Sequence, residues 1–348
     1  VGFFCNLCTK PKIEFMSHPQ VSILMPVYNA SPFLEDCLES ILGQDFISWE
    51  LLAVDDFSQD DSKLILEQYA ERDDRIKVLS SNEKGIIPAL RLAFENSTGQ
   101  FISRMDADDR MPSHKLSVLY QLLKDNGEGC VATGKVVYFS DTTLMDGYRR
   151  YAAWLNSLVD DKMHRAELFR ECVIPSPAWM ISRADLQSCA AFDPNRYPED
   201  YDLVFRFFEK GMQVVASDQI VHEWRDHSSR TSRNDETYSQ NAYFDIKVHY
   251  LKVLESNKQL ILWGAGKKGK DLAKKLNAAG LSFLWTCNVE SKWGHDIYGH
   301  KMLQPSILDE TKDPLVLVAV SGPQDQIELE NQLKDKGLVK GVSYYFFC

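Results

Sequence analysis

The chain has 348 residues, 44% of them hydrophobic and 26% charged, and a formal net charge of -11. That length exceeds one small core and implies one large or two moderate domains. The acidic balance disfavours a protein that coats nucleic acid over its whole surface, though it leaves room for a local basic patch, and no run of about 18 apolar residues marks a membrane span.

The opening "VGFFCNLCTKPK" has no basic segment ahead of its short apolar run, so it does not read as a secretory leader. Residues 1–20 are read as an N-terminal extension, and the expected location is cytoplasmic. Cys5 and Cys8 have metal-ligand spacing, but no second pair follows. The other cysteines (Cys37, Cys130, Cys172, Cys189, Cys287 and Cys348) are scattered, mostly in apolar contexts. Free buried thiols are expected rather than a disulfide framework.

From Val21 the pattern alternates. "VSILMPV" is a short strand, and "FLEDCLESIL" places Phe33, Leu34, Cys37, Leu38, Ile41 and Leu42 on one helical face. "WELLAVDD" is a strand ending in acids. "DSKLILEQYAE" is a helix with Asp or Ser at hand as its cap. "RIKVLS", "IIPALRLAFENS", "QFISRMDADD" and "HKLSVLYQLL" continue the alternation of strand and helix. Such β-α repetition predicts a mostly parallel sheet with helices on both faces, which binds ligands beyond the carboxyl ends of its strands. Tyr28-Asn29, Asp55-Asp56 and the acidic cluster Asp106, Asp108 and Asp109 all fall at such ends.

The stretch from about 130 to 257 is less regular and closes with an aromatic-rich helix, "YSQNAYFDIKVHYLKVLE". The aromatics of that helix are candidates for an exposed contact surface. A second α/β pattern starts at Gln259: "LILWGAG", then "KKGKDLAKKLNAAG", "LSFLWTC" and "PLVLVAV". The expected division is 1–20, a catalytic domain over 21–257, and a smaller Rossmann-like α/β domain over 258–348.

Two carboxylates one residue apart on a turn suit a hard divalent cation, which prefers oxygen ligands and bridges protein carboxylates to diphosphate. A solvated turn that caps the next helix is the alternative, and Asp109 is assigned that role. A calcium loop does not fit, because the later acids and glycine of that pattern are missing.

Four motifs occur in order: "VSILMPVYNASPFLEDCLESILGQDF", "ELLAVDDFSQDDS", "ISRMDADDRMP" and "PEDYDL". Together they resemble the family 2 inverting glycosyltransferases of the GT-A fold, over about Val21 to His249. The resemblance implies an enzyme that uses a nucleotide sugar. Pro26, Val27 and Tyr28 would line the base pocket, Asn29 would shape the turn, and Asp56 would accept from the base edge, which suits uracil. Asp106 would lie near the ribose or the metal, and Asp108 would bind the metal, Mn2+ or Mg2+. Asp200 would be the general base, with Glu199 holding the acceptor. A carboxylate beside an oxocarbenium-like centre serves as base and as counter-charge. Helix capping by the Glu199-Asp200 pair is compatible with that.

The chain departs from the family pattern twice. Phe57 follows Asp55-Asp56 where glycine is usual, and Arg91 stands where asparagine is usual, within reach of a phosphate or an ion pair. In "HEWRDHSSRTSR", the resemblance makes Arg225 and Arg230 candidate diphosphate contacts and His227 a candidate metal ligand or diphosphate contact, with a solvated loop histidine as the alternative.

Gly264-x-Gly266-x-x-Gly269 follows a strand and opens a helix, but Asn288 stands where a dinucleotide site places an acid. An accessory domain is expected, not an NAD enzyme. Lys267, Lys268 and Lys270, with Lys274 and Lys275, concentrate positive charge there; a solvated helix face and an RNA contact are both open. The layout is similar to a family 2 subgroup that includes tRNA-queuosine galactosyltransferases. The leading expectation is therefore transfer of galactose from UDP-galactose to queuosine in tRNA. The alternatives are a surface polysaccharide or lipid-linked glycan as acceptor, and a non-catalytic nucleotide-sugar sensor. Oligomeric state is not legible.

Overall fold

Strands that read as near-continuous Val, Ile and Leu runs belong inside a parallel sheet, where both faces are covered. The computed structural model describes residues 18–140, 146–227, 240–255 and 258–348. Its first half runs β1 (Val21–Val27), α1 (Ser31–Leu42), β2 (Trp49–Asp55), α2 (Ser62–Arg72), β3 (Ile76–Ser80), α3 (Ile86–Glu95), β4 (Phe101–Arg104) and α4 (Lys115–Asn126). It continues through β5 (Cys130–Phe139), α5 (Asp146–Asp161), α6 (His164–Glu167), β6 (Met180–Ser182), α7 (Arg183–Ser188), α8 (Glu199–Glu209), β7 (Gln213–Arg225) and α9 (Gln240–Leu254).

The seven strands order as β3-β2-β1-β4-β6-β5-β7. β3, β2, β1 and β4 are mutually parallel, and the short β6 runs antiparallel between β4 and β5. Val27 lies opposite Asp55, and Asp55 opposite Ser80, so the carboxyl ends of three strands are level. That alignment is what brings distant loops into one place. Every residue of β2 is buried, and α1 covers the sheet with Leu34, Cys37, Leu38 and Ile41. Phe33 and Leu42, expected on the same face, sit half-buried at its margin.

β5 and β7 pair in parallel over ten residues of β5, with register shifts on either side of Lys135. β7 carries three more residues than β5 between their paired ends. Gly134 lies at this irregularity. A Cβ there would stand 2.7 Å from Val221 Cγ1, so only glycine fits.

The second sheet orders as β10-β11-β9-β8-β12-β13, from β8 (Gln259–Trp263), α10 (Lys267–Ala278), β9 (Phe283–Thr286), β10 (Asp296–Ile297), β11 (His300–Leu303), α11 (Ile307–Glu310), β12 (Pro314–Val318), α12 (Pro323–Asp335) and β13 (Tyr344–Phe346). All neighbours but β10 and β11 are parallel. Gly264 has φ 129°, and its missing Cβ would stand 2.6 Å from the Ala319 carbonyl. A Cβ on Gly269 would come within 2.1 Å of the Gly264 carbonyl oxygen, so the first turn of α10 packs directly on the strand end. Asn288 Oδ1 accepts from the Trp263 indole at 3.2 Å.

One apolar core runs through both sheets. Phe169 stacks on Phe347 at 5.1 Å and meets Tyr345 at 4.7 Å. The aromatics expected to lie exposed on the helix after residue 238 are instead inside. Phe244 and Tyr250 are buried, Tyr243 is half-buried, and Tyr250 stacks on Phe205 of α8 at 4.5 Å. Burying rings of this size stabilises by about 1.5–3 kcal/mol each, which exceeds any benefit of leaving them to water. Among the described residues the cysteines are free, and no helix is long and apolar enough to cross a membrane. Cys5 and Cys8 lie outside the described residues.

Candidate active site

The β1 end opens the site. Pro26 is half-buried and Val27 buried, while Tyr28 stays 46% exposed with Lys84 Nζ 4.4 Å over its ring. Asn29 adopts φ 48°, a conformation its short polar side chain tolerates. It ties two loops together: its N–H donates to Ser58 Oγ at 3.1 Å, and its Oδ1 accepts from Gln59 N at 2.8 Å.

At the β2 end, Asp56 accepts the Gly85 N–H on both oxygens, at 2.9 and 3.0 Å. Burial raises its carboxyl above the usual range, against the pull of that N–H and of Lys84. Phe57 stands at φ 61° with 44% of its surface exposed. The position that glycine usually fills in the resembling family is therefore a left-handed one here, held by an aromatic residue at a cost of about 1–2 kcal/mol.

The β4 end divides its three acids. Asp106 Oδ1 accepts from Arg104 Nε at 3.1 Å, and the same guanidinium donates through Nη1 to Glu199 Oε1 at 3.1 Å. Arg104 is 4% exposed. It links the acidic turn to the first residue of α8, and sequence reading missed it because it sits inside the strand run. Asp106, expected near the ribose or the metal, keeps a quarter of its side chain exposed beside this pairing. Asp108 Oδ2 lies 2.8 Å from His227 Nε2. Asp109 is fully buried and does not cap α4, whose cap position is His114. It accepts Arg225 N–H at 2.8 Å and meets His222 Nε2 at 2.9 Å, which fastens the end of β7 to the turn.

Two expected phosphate contacts point elsewhere. Arg225 is buried; it donates to the Asp108 carbonyl at 2.9 Å, pairs with Asp36, and stands over the Phe33 and Phe139 rings. Its cation supports the turn instead of facing a ligand. Arg91 donates to the carbonyls of Phe192 and Asp193 and to Asn195 Oδ1, each at 3.0 Å, so it clamps a loop. Arg230 lies outside the described residues.

Below the turn, Lys115 is fully buried and donates to the Pro177 carbonyl at 2.6 Å. Burial pushes its ammonium down to about 7, against the attraction of Asp106 and Asp109. Its lysine was read only as part of a helix. At the start of α8, Glu199 is buried and Asp200 half-buried, and Asp200 Oδ1 accepts its neighbour's N–H at 2.7 Å. Burial, then the Glu199 charge, pushes Asp200 up to about 7, while Arg104 opposes. A carboxylate poised there can accept a proton near neutral pH. Asp202, one turn face away, is structural: Arg196, Arg206 and Tyr250 all bind it.

Among the described residues, no three His, Cys, Asp or Glu side chains form a ready-made cation cage. Asp108 and His227 nevertheless give two adjacent donors, a carboxylate oxygen and an imidazole nitrogen. Such a partial set fits a divalent ion that takes its remaining ligands from diphosphate oxygens and water.

Residues 22–189 match the family model described as Glycosyl transferase family 2. That segment is a family 2 glycosyltransferase domain. This glycosyltransferase is 27% identical over 240 residues to TuaG of Bacillus subtilis (strain 168), whose name places it in teichuronic acid biosynthesis; the match covers 67% of this chain and 91% of that one. It is 29% identical over 226 residues to the glycosyltransferase EpsE of the same organism, covering 64% and 79%. Among solved structures, S. aureus TarS 1–349 in complex with UDP-GlcNAc superposes with a TM-score of 0.53 at 16% identity, covering 74% of this chain and 72% of that one. That likeness shows the GT-A fold. The subgroup expected from the sequence, around tRNA-queuosine galactosyltransferases, finds no support in these similarities. Lys267, Lys270 and Lys274 are exposed on one face of α10, Lys268 is half-buried at a cleft, and Lys275 pairs with Asp245 at 2.7 Å.

Proposed function

We propose that this glycosyltransferase moves a sugar from a UDP-sugar, with inversion, to a hydroxyl of a cell-surface polysaccharide or its precursor. The single observation that carries it is the placement of Asp200 at the head of α8, beside Glu199, which Arg104 joins to the acidic turn; its carboxyl, pushed up to about 7 by burial, fits that role. Asp200 takes the proton of the acceptor hydroxyl. The oxygen attacks the anomeric carbon from the face opposite the diphosphate, and the bond to the diphosphate breaks. Val27, Tyr28 and Asp56 hold the uridine. A divalent cation on Asp108 and His227 would offset the charge of the leaving diphosphate. The name of TuaG supports a surface polymer as acceptor, and the UDP-GlcNAc bound to TarS supports a uridine donor.

The test measures UDP release from UDP-galactose and UDP-N-acetylglucosamine with Mn2+, with and without polysaccharide fragments. Release that fails for every donor despite tight UDP binding would point to a nucleotide-sugar sensor. Release that persists unchanged in Asp200→Asn would remove Asp200 as the base.

A further inference from the structure

A second concavity lies where the two sheets meet. It measures about 400 Å3, inside the range of roughly 300–1,000 Å3 usual for small-molecule sites. Tyr151 and Trp154 of α5 form one wall, and Tyr243 and Lys247 of α9 another. Arg170, Glu171 and Lys268, the last in the first turn of α10, line it together with Phe347 and Cys348. Tyr151 lies in a stack, 5.6 Å from Trp154 and 6.2 Å from Trp224, so this wall of the cleft is aromatic. The Trp154 indole N–H is buried with no hydrogen-bond partner among the described residues. Such a donor, left unsatisfied, costs free energy.

The cleft lies beside the helix that carries the base. The Tyr243 ring is 6.1 Å from the ring of Tyr201, which directly follows Asp200. After burial, the charges of Glu171 and Asp200 are what raise the Tyr243 hydroxyl, in line with that proximity. Three cations face one carboxylate here, in a chain of net charge -11. Arg170 is shared with Glu167 and Gln326, and Lys247 donates to the Arg170 carbonyl at 2.7 Å and the Phe347 carbonyl at 3.2 Å. Lys268 makes no ion pair among the described residues. Aromatic faces suit the C–H face of a pyranose, and cations at one end suit an anion.

We infer that this cleft is the acceptor site, and that its occupant is an anionic saccharide whose ring packs against the aromatic wall at Trp154 and Tyr243 and whose carboxylate or phosphate meets Lys268. The role as acceptor site rests on the glycosyltransferase reading; the binding chemistry does not. The Rossmann-like unit then acts as the far wall of the acceptor site.

The experiment is calorimetric titration of the full chain with three probes: a glucuronate-containing tetrasaccharide, its carboxyl-reduced counterpart, and N-acetylglucosamine 1-phosphate. At least one anionic probe is expected to bind five- to tenfold more tightly than the neutral one; which of the two does so separates a uronate from a phosphate acceptor. Lys268→Glu should erase that preference, and Trp154→Ala should weaken all saccharide binding. Equal affinity for charged and neutral probes, or a preference that survives Lys268→Glu, overturns the inference. UDP titrated into the same samples reports the donor site separately. Loss of UDP binding alone would count against the donor reading, while the saccharide comparison still decides the cleft.

Discussion

Replacing Arg104 with glutamine removes one positive charge from between two carboxylates while keeping much of the side chain's length. Glu199, 7% exposed, loses its cationic partner, and so does Asp106, which keeps a quarter of its side chain in water. Breaking a buried pair costs about 3–5 kcal/mol, and the partial exposure of Asp106 places this case near 3. The fall in Tm should be several degrees. The functional effect has a definite sign. Arg104 holds the Asp200 pKa down and Glu199 pushes it up, so removing Arg104 moves Asp200 further above its position near 7. A rise of one unit, about 1.4 kcal/mol, cuts the ionised fraction at pH 7 from about half to roughly one-tenth. kcat at pH 7 should drop about fivefold and recover by about pH 9. Arg104→Lys, which retains the charge, should restore much of the profile. The assay is kcat against pH for UDP release, below the melting range of the variant. A folded Arg104→Gln enzyme whose profile stays put, or moves toward acid, would refute the coupling.

Asp200→Asn should abolish transfer yet raise Tm at pH 8. The native carboxylate ionises there at a cost the amide avoids; at pH 5 the folded carboxyl is neutral but the unfolded one is still ionised, so the gap narrows, and the two Tm values should converge in calorimetry only below about pH 4. Asp108→Asn and His227→Ala should each raise the Mn2+ concentration for half-maximal activity at least tenfold, read by metal titration after EDTA treatment; unchanged curves would dissociate this pair from the cation. Gly269→Ala should cost more than about 2 kcal/mol in urea unfolding, because its methyl would enter the Gly264 carbonyl. At position 57, valine should be less stable than glycine by more than 1 kcal/mol, since β-branched residues tolerate positive φ poorly. Equal stabilities would remove the backbone argument.

What the sequence made legible was periodicity and strand ends. The runs at Val21, Trp49 and Ile76 alternate with helical faces, and the parallel order follows from that alternation. It also brought Tyr28, Asp56 and the acidic turn to one edge, because β1 and β2 end level and β4 runs parallel beside β1 into that turn. Partners far apart in the chain were not legible. Asp109 looked like a cap because a helix follows it; its true partners, His222 and the Arg225 N–H, come from β7. Arg104 and Lys115 were hidden inside a strand and a helix, since no local pattern marks a charged residue as buried. Arg91 and Arg225 looked available for phosphate because local sequence does not reveal carbonyls and carboxylates supplied from elsewhere. The aromatics of α9 misled for the same reason: only α8 packed beside them makes them interior.

The register shifts between β5 and β7 constrain how this chain can change in length. Side chains along a strand alternate faces with a period of two, and β7 gains an odd number of residues before it reaches His222 and Arg225. Removing any single residue between 218 and 221 would make that number even. His222 would then turn to the opposite face of the sheet, and Asp109 would lose an anchor without any site residue having been altered. Length variation in homologous proteins should therefore spare this short stretch, or arrive there two residues at a time.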